Sequence, residues 1–482
     1  MTRLVSPSWV AVFASAALGT FAALSDLPRS PRHEAQLFFA DHVHRHWWDR
    51  VDPRWFSGFD VTEVPGVVSR LVALVAHGPA LGLERAYALV LALTSLWIGL
   101  GVTRLIKALT PVQEPGWLAV AAAVSPALWV SLVPVGALLE TFAFATAINA
   151  AAWIRRATTG LERVACLVLT ASACAAHGLG VVFVLVLAPV WLASRARATW
   201  LIGGVALGVV ASWNSLTHAW WLVEGDAPGW LRVLVAGVSV LAFALALKRR
   251  RFDRAGLAAS CLVLSTWHSS GLPGLGAAVV LVLCCLAPVE REASRTGALV
   301  AALSLVTTAS LLGWYRNADT RSRKQALREV EWVLAHVENG HRYRFVTWGV
   351  GDEWVELSRR VLPTSIDGML APNRSLDATE VNDAEAVARL RTKLEKPELA
   401  IRWVVVGLAA AAPTLESLGF VPVGAWRGNV TLWERRETAP IPNEAPVHVR
   451  VSWSHGVLSP LLGVGAVLVM VLALAQAIRE TR

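Results

Sequence analysis

Long apolar runs recur from one end of the chain to the other, separated by short polar segments. A run of about 20 apolar residues is what an α-helix needs to cross a bilayer core. The pattern predicts twelve spans: 8–24, 86–106, 116–133, 137–154, 163–179, 181–194, 199–215, 229–247, 255–270, 272–288, 296–314 and 457–477. The two that meet around His177 are short for a full crossing, which predicts a broken or tilted helix there. Two regions stand apart from this rhythm: a loop over 25–85 and a polar block over 315–456.

Other periods show inside these two regions. The loop ends in "PGVVSRLVALVA" (65–76), too short to span, which fits an amphipathic helix lying in the membrane interface. In the block, "RSRKQALREVEWVLAHVE" (321–338) has helical periodicity, and helices are predicted over 353–361, 383–395 and 412–418. "YRFVTWGV" (343–350) and "IRWVVVGLA" (401–409) read as buried strands. "FVPVGAWRGNVTLWERR" (420–436) reads as two strands around a Gly-Asn turn. Pro440, Pro442 and Pro446 mark a tether back to the last span. The fold class expected is a polytopic α-helical membrane protein of about twelve transmembrane helices with a small extracytoplasmic α/β domain. Its parts are a transmembrane domain over 1–314 that includes the loop 25–85, the α/β domain over 315–456, and a last helix with a cytoplasmic tail over 457–482.

Composition agrees. Of 482 residues 55% are hydrophobic and 16% charged, with mean hydropathy +0.51, which excludes an ordinary soluble domain. The net charge of +9 does not mark a nucleic-acid binder, because the basic residues gather at helix ends. With the N-terminus in the cytoplasm, the inside segments hold Arg3, Arg104, Lys107, Arg155, Arg156, Arg163, Arg195, Arg197, Lys248 to Arg251, Arg254, Arg291, Arg295, Arg479 and Arg482. That asymmetry predicts both termini inside and 315–456 outside. The first 24 residues, followed by "AALSD", also have the form of a cleaved signal peptide. An uncleaved first span closes the topology with both ends inside. All five cysteines (Cys166, Cys174, Cys261, Cys284, Cys285) lie in apolar segments, so no disulfide framework or zinc motif is present. Neither a GxGxxG, a P-loop nor a serine nucleophile elbow occurs.

Candidate chemistry concentrates in "FFADHVHRHWWDRVDPRWFSGFDV" (38–61), which mixes acids, arginines, histidines and tryptophans beside a membrane. Arg45, Arg50 and Arg54 are suited to phosphate, and Trp47, Trp48 and Trp55 to headgroup depth. His42, His44 and His46 alternate; 42 and 46 share a face of a helix, all three a face of an extended chain. Each feature also has a bland reading: belt tryptophans, surface ion pairs, and an Asp52-Pro53 turn. The histidine spacing matches no standard zinc pattern. Glu140 sits beside Pro134 and Gly136 near the outer end of a span, where an ionisable group is costly unless it faces a cavity; it reads as a catalytic or metal-binding acid, or as a structural group at a helix end. His177 in "AAHGLG" and His268 in "TWHSSG" precede glycine-containing breaks near outer ends, placing them either on the same cavity or in helix–helix hydrogen bonds. In "WGVGDEW" (348–354), Asp352 reads as a helix cap or, with Glu353, as an acceptor contact.

The order of these parts, together with "ADHVHRHWWDRVDPRWFSGFDV" (40–61), "VPGVV" (64–68), "VTWGVGDEWVELSRRVLPTSIDG" (346–368) and "GFVPVGAWRGNVTLWE" (419–434), resembles the GT-C class of membrane glycosyltransferases. Within that class it is similar to a bacterial group of polytopic proteins labelled "6-pyruvoyl-tetrahydropterin synthase-related", a label that implies no pterin chemistry here. The resemblance implies sugar transfer from a polyprenyl-phosphate donor to an envelope glycan, lipid or protein on the outer face of the bacterial inner membrane. It implies Asp41 as catalytic base or metal ligand; Glu140, read from its place near a span end, is the second catalytic candidate. His42, His44, Arg45, Arg50, Arg54, Trp55, His177 and His268 would contact substrate. The carrier phosphate would be met by arginine or by a divalent cation (Mg or Mn) with Asp41 as ligand. Two rival functions fit the same pattern: a non-catalytic scaffold or partner subunit of envelope-polymer assembly, and a transporter. The few intramembrane acids, gathered near outer ends, speak against the transporter.

Overall fold

The computed structural model describes residues 6–24, 31–52, 59–78, 81–109, 116–156, 159–191, 195–216, 228–267, 270–286, 294–337, 343–348, 364–365, 391–392, 394–397, 400–407, 412–427, 430–440 and 449–481. They form two compact units. One holds Met1–Arg29, Thr62–Arg316 and Ser452–Arg482; the other holds Ser30–Val61 and Asn317–Val451.

The first unit is helical. α1 (Pro7–Leu24) packs along α4 (Leu83–Leu109). Small residues allow the close approach: a Cβ on Gly99 would lie 2.9 Å from both Ala11 O and Val12 Cα, and Ser15 Oγ donates to Ser95 O at 2.6 Å. In lipid such fitted contacts and buried hydrogen bonds replace the hydrophobic effect as the source of helix association. α7 (Leu138–Arg156) adds to α4 through Asn149, whose Nδ2 donates to Trp97 O at 3.0 Å. α8 (Gly160–Ala176) starts with a capping box between Thr159 and Glu162 and packs on α7. α9 (Gly178–Val186) and α10 (Ala188–Trp191) follow, then α11 (Arg195–Ala211) and α12 (Trp213–Leu216). The set continues with α13 (Gly229–Lys248), α14 (Phe252–Thr266), α15 (Gly271–Leu286) and the long α16 (Ser294–His336). Five described helices are long and apolar enough to cross a membrane: Pro7–Leu24, Leu83–Leu109, Gly229–Lys248, Thr296–Tyr315 within α16, and Ser454–Arg479.

Three expectations change. The span over 116–133 is two helices, α5 (Leu118–Ala123) and α6 (Pro126–Leu132), because Pro126 lacks an amide hydrogen and holds Ser125 extended at ψ 124. The helix expected over 321–338 is the continuation of the span before it. From Trp314 to His336 no glycine or proline stops α16. The segment over 65–76 forms α3 (Gly66–Ala76), but Gly66 to Ala73 are all buried, Arg70 included. Apart from Ser69 and Arg70 this helix has no polar face to offer to water, and it packs within the unit rather than on it.

The second unit contains α2 (Pro31–Arg45), a two-stranded hairpin of β1 (Val51–Asp52) and β2 (Phe59–Asp60), and a five-stranded mixed sheet. The sheet order is β4 (Thr364–Ser365), β3 (Arg344–Trp348), β5 (Ile401–Val406), β7 (Val430–Glu434), β6 (Val421–Trp426). β3 runs parallel to β4 and β5, while β7 is antiparallel to β5 and β6. The predicted hairpin around Arg427 is present, with Trp426 opposite Val430 and Arg427 at φ 45. Alternation along the strands fills both faces. Val346, Trp348, Val404 and Val406 meet Leu415 of α17 (Ala412–Ser417) and Phe420. Phe345, Trp403, Val405 and Leu432 meet Val330 and Val333 of α16. In water each such fully buried Leu or Phe contributes roughly 1.5–3 kcal/mol. Residues 30–61 fall in this unit because the loop pairs with the returning chain. Arg50 N donates to Val449 O at 2.7 Å, and Val451 N donates to Trp48 O at 2.9 Å. The predicted helix 353–361 and most of 383–395 lie outside the described residues. The last helix, α18 (Ser459–Thr481), is entered through a π-turn over Ser454–Leu458.

Candidate functional site

In the second unit, α2 carries the acid–histidine pair. Residues 33 to 43 are buried with the exception of half-buried Gln36. Asp41 is buried and its Oδ1 accepts from Arg45 Nε at 3.0 Å, one helical turn on. Arg45 itself is exposed, so this bond orients Asp41 more than it stabilises the fold. His42 turns inward. Its Nδ1 meets Asp52 Oδ2 at 2.8 Å and its Nε2 meets Asp49 O at 3.0 Å. Both partners are acceptors and both side chains are buried, so His42 spends its ring nitrogens holding α2 to the segment that follows it. His44 is half-buried. Arg50 pairs with Asp60 across the small hairpin, NH2 to Oδ2 at 2.6 Å. Arg54 and Trp55 lie outside the described residues.

Asp52 is more than the turn before proline that its sequence suggests. The signal for it is indirect: three alternating histidines need acceptors if any of them is buried.

In the first unit the site is built by two interrupted helices. Gly136, at φ 77, takes a conformation that only glycine adopts without strain. It leads into α7, whose first turn holds Glu140. The partial positive charge of a helix N-terminus favours a carboxylate there. Opposite it, the chain breaks between α8 and α9. His177 ends one helix and caps the next, extended at φ −166 and ψ 152, with Nδ1 accepting from Leu179 N at 3.1 Å. The break is fixed by Gly180, where a Cβ would lie 1.8 Å from Ala173 O. With Nδ1 used as an acceptor, the neutral ring carries its proton on Nε2. That atom faces Glu140 Oε1 at 3.8 Å, both side chains being buried. The expected break at His177 is therefore real, and Glu140 and His177 come together.

Other polar groups gather at this end of the same unit. Ser212 Oγ donates to Cys174 O at 3.4 Å, Asn214 Nδ2 to Thr62 Oγ1 at 3.4 Å, and Ser459 Oγ to Ala211 O at 3.3 Å. The His455 ring sits against Gly66, where a Cβ would come within 2.7 Å of it. Two buried arginines are not among the sequence-derived candidates. Arg232 of α13 donates from NH1 to Ser265 O at 3.2 Å and to Trp267 O at 3.0 Å, closing the end of α14. Arg70 is fully buried in α3. Each is a single cation within an apolar stretch of sequence, and that pattern is the signal by which they could have been found. His268 lies outside the described residues.

A divalent cation finds no assembled donor set here. Among the described residues no three His, Cys, Asp or Glu side chains are grouped to hold one. Asp41 is met by a guanidinium, and His42 has both nitrogens bonded within the fold.

No protein-family model matches the chain, and no curated protein matches it. Solved structures do. ArnT from Cupriavidus metallidurans bound to undecaprenyl phosphate aligns over 90% of this chain and 99% of its own, with TM-score 0.55 and 13% identity. The same protein in the apo state gives TM-score 0.52 at 14% identity, over 88% and 97%. The archaeal oligosaccharyltransferase AglB from Archaeoglobus fulgidus, in complex with an inhibitory peptide and a dolichol-phosphate, gives TM-score 0.50 at 11% identity, over 94% of this chain and 77% of that one. At these identities the likeness speaks for the fold alone.

Proposed function

We propose that the chain is a GT-C-type membrane glycosyltransferase. It moves a sugar from a polyprenyl-phosphate donor to an envelope glycan, lipid or protein on the outer face of the bacterial inner membrane. The observation that carries this reading is the extent of the structural likeness, 90% of this chain and 99% of ArnT bound to undecaprenyl phosphate. In this reading twelve crossings place both termini in the cytoplasm and residues 315–456 outside.

The reaction is an inverting displacement. A carboxylate takes the proton of the acceptor hydroxyl as its oxygen bonds to the anomeric carbon. The bond from that carbon to the carrier phosphate breaks, and the phosphate leaves with the electron pair. Asp41 is the base; its carboxylate is already oriented by Arg45. Arginines stabilise the charge that develops on the leaving phosphate. Arg50 and Arg54 serve from the loop. Glu140, which His177 faces in the other unit, is a second candidate for an acidic role. A divalent cation (Mg or Mn) with Asp41 as ligand would supply positive charge to the same phosphate.

The test is mass spectrometry of lipid extracts from a deletion strain. A sugar-bearing carrier lipid should accumulate, and wild-type protein but not Asp41→Asn should clear it. Clearance by Asp41→Asn would favour a non-catalytic partner subunit instead.

A further inference from the structure

The far end of the first unit holds a second polar feature that the proposed reaction does not use. A small cleft lies between α1, α4 and α18. Ser8 and Trp9 line it from the start of α1, Arg104 and Lys107 from the last turns of α4, and Gln476 from the end of α18. Its deeper wall is apolar, with Val12 among the lining residues. Arg104 is held in place, its guanidinium carbon 4.4 Å from the centre of the Trp153 ring. Trp153 and Glu140 belong to the same helix, thirteen residues apart, so the cleft is about 20 Å along α7 from the Glu140–His177 pair.

This end of the unit is strongly basic. Arg254 donates from NH2 to Leu109 O at 2.8 Å, so the segment Lys248 to Arg254 adjoins the end of α4 that carries Arg104 and Lys107. The cleft therefore combines two cations, the positive end of the α1 helix dipole and an apolar wall. The exposed Phe13 of α1 and Leu472 of α18 flank these elements as lipid-facing side chains.

We propose that this cleft binds the phosphate headgroup of an anionic phospholipid, at the end of the first unit away from the Glu140–His177 pair. The phosphate meets Arg104 and Lys107, Gln476 donates a neutral hydrogen bond, and an acyl chain lies along the apolar wall. The ligand is a phosphodiester with net negative charge, since a zwitterionic headgroup would bring its own cation against the pair. The assignment does not depend on the sugar-transfer reading.

Native mass spectrometry of the purified full-length protein in detergent tests it, with phosphatidylglycerol, phosphatidylcholine or inorganic phosphate added separately. Wild type should retain phosphatidylglycerol over phosphatidylcholine. Lys107→Gln should cut that retention about fivefold, the equivalent of about 1 kcal/mol per basic residue near a charged headgroup. Gln476→Glu, which keeps both cations and adds a negative charge, should cut it at least as much. Thermal-shift curves for both variants check that they are folded. Equal retention of the two lipids by wild type, or unchanged phosphatidylglycerol retention in both folded variants, would overturn the proposal. So would stabilisation by inorganic phosphate equal to that by phosphatidylglycerol, which would make the cleft a site for free anions.

Discussion

His177 points Nε2 at Glu140 Oε1, 3.8 Å away, while its Nδ1 caps the helix that follows. One side chain thus does two jobs, and substitutions can separate them. His177→Asn keeps a side-chain oxygen able to accept from Leu179 N but removes the group that faces Glu140. His177→Ala removes both, at about 1 kcal/mol for the lost cap. Thermal unfolding should therefore fall clearly for His177→Ala and little for His177→Asn. Both should lose transfer activity. Equal unfolding temperatures for the two variants would show that the cap contributes nothing.

Glu140→Gln removes the charge and keeps the shape. If Glu140 acts on protons or substrate, the transfer rate should drop at least about 100-fold, the lower range for a positioned acid or base. A structural tie alone predicts a change of a few-fold, because the amide keeps the shape and still faces His177. Steady-state kinetics with a lipid-linked donor separates the two.

Gly180 supplies a packing test. Its missing Cβ leaves room for Ala173 O, which would otherwise be 1.8 Å away, and backbone cannot retreat cheaply. Gly180→Ala should lower the yield of folded protein and its melting temperature. Gly160→Ala is the control, since nothing lies within 4 Å of a Cβ there. Fluorescence-detected size exclusion of the two variants should give aggregate for the first and a wild-type peak for the second.

Much of the architecture is legible in the sequence because each signal is local. The period-two strands of the polar block, the hairpin at Arg427 and the break at His177 follow from side-chain alternation, turn residues and glycine next to histidine. The long α16 is not visible as one helix, because a change from apolar to charged residues looks like a boundary even where nothing stops the helix. The pairing of residues 48–50 with 449–451 joins stretches near opposite ends of the chain, which no local pattern encodes. At the site, Glu140 and His177 are each visible as an ionisable group in an apolar span. Their meeting is not, since it depends on how α7 packs against α9. The role of His42 departs from expectation for a related reason. Residue type suggests a ligand, while the buried acceptors Asp52 and Asp49 O that occupy it are set by the turn of the chain.

That occupation separates two neighbouring acids in the last prediction. Asp41 accepts from an exposed arginine, whereas Asp52 is fully buried against His42. Asp41→Asn keeps the volume and can still accept from Arg45, so the unfolding temperature should stay near wild type while transfer is abolished. Asp52→Asn weakens a buried charge-assisted bond and leaves the imidazole poorly matched, a cost of about 1–3 kcal/mol. It should therefore lower the unfolding temperature and expose residues 46–52 to limited proteolysis, with activity falling only as folded protein is lost. Activity per folded molecule, measured beside thermal unfolding for both variants, decides the matter. If Asp41→Asn destabilises as much as Asp52→Asn and keeps its turnover per folded molecule, Asp41 is part of the same structural tie and the base must be sought elsewhere.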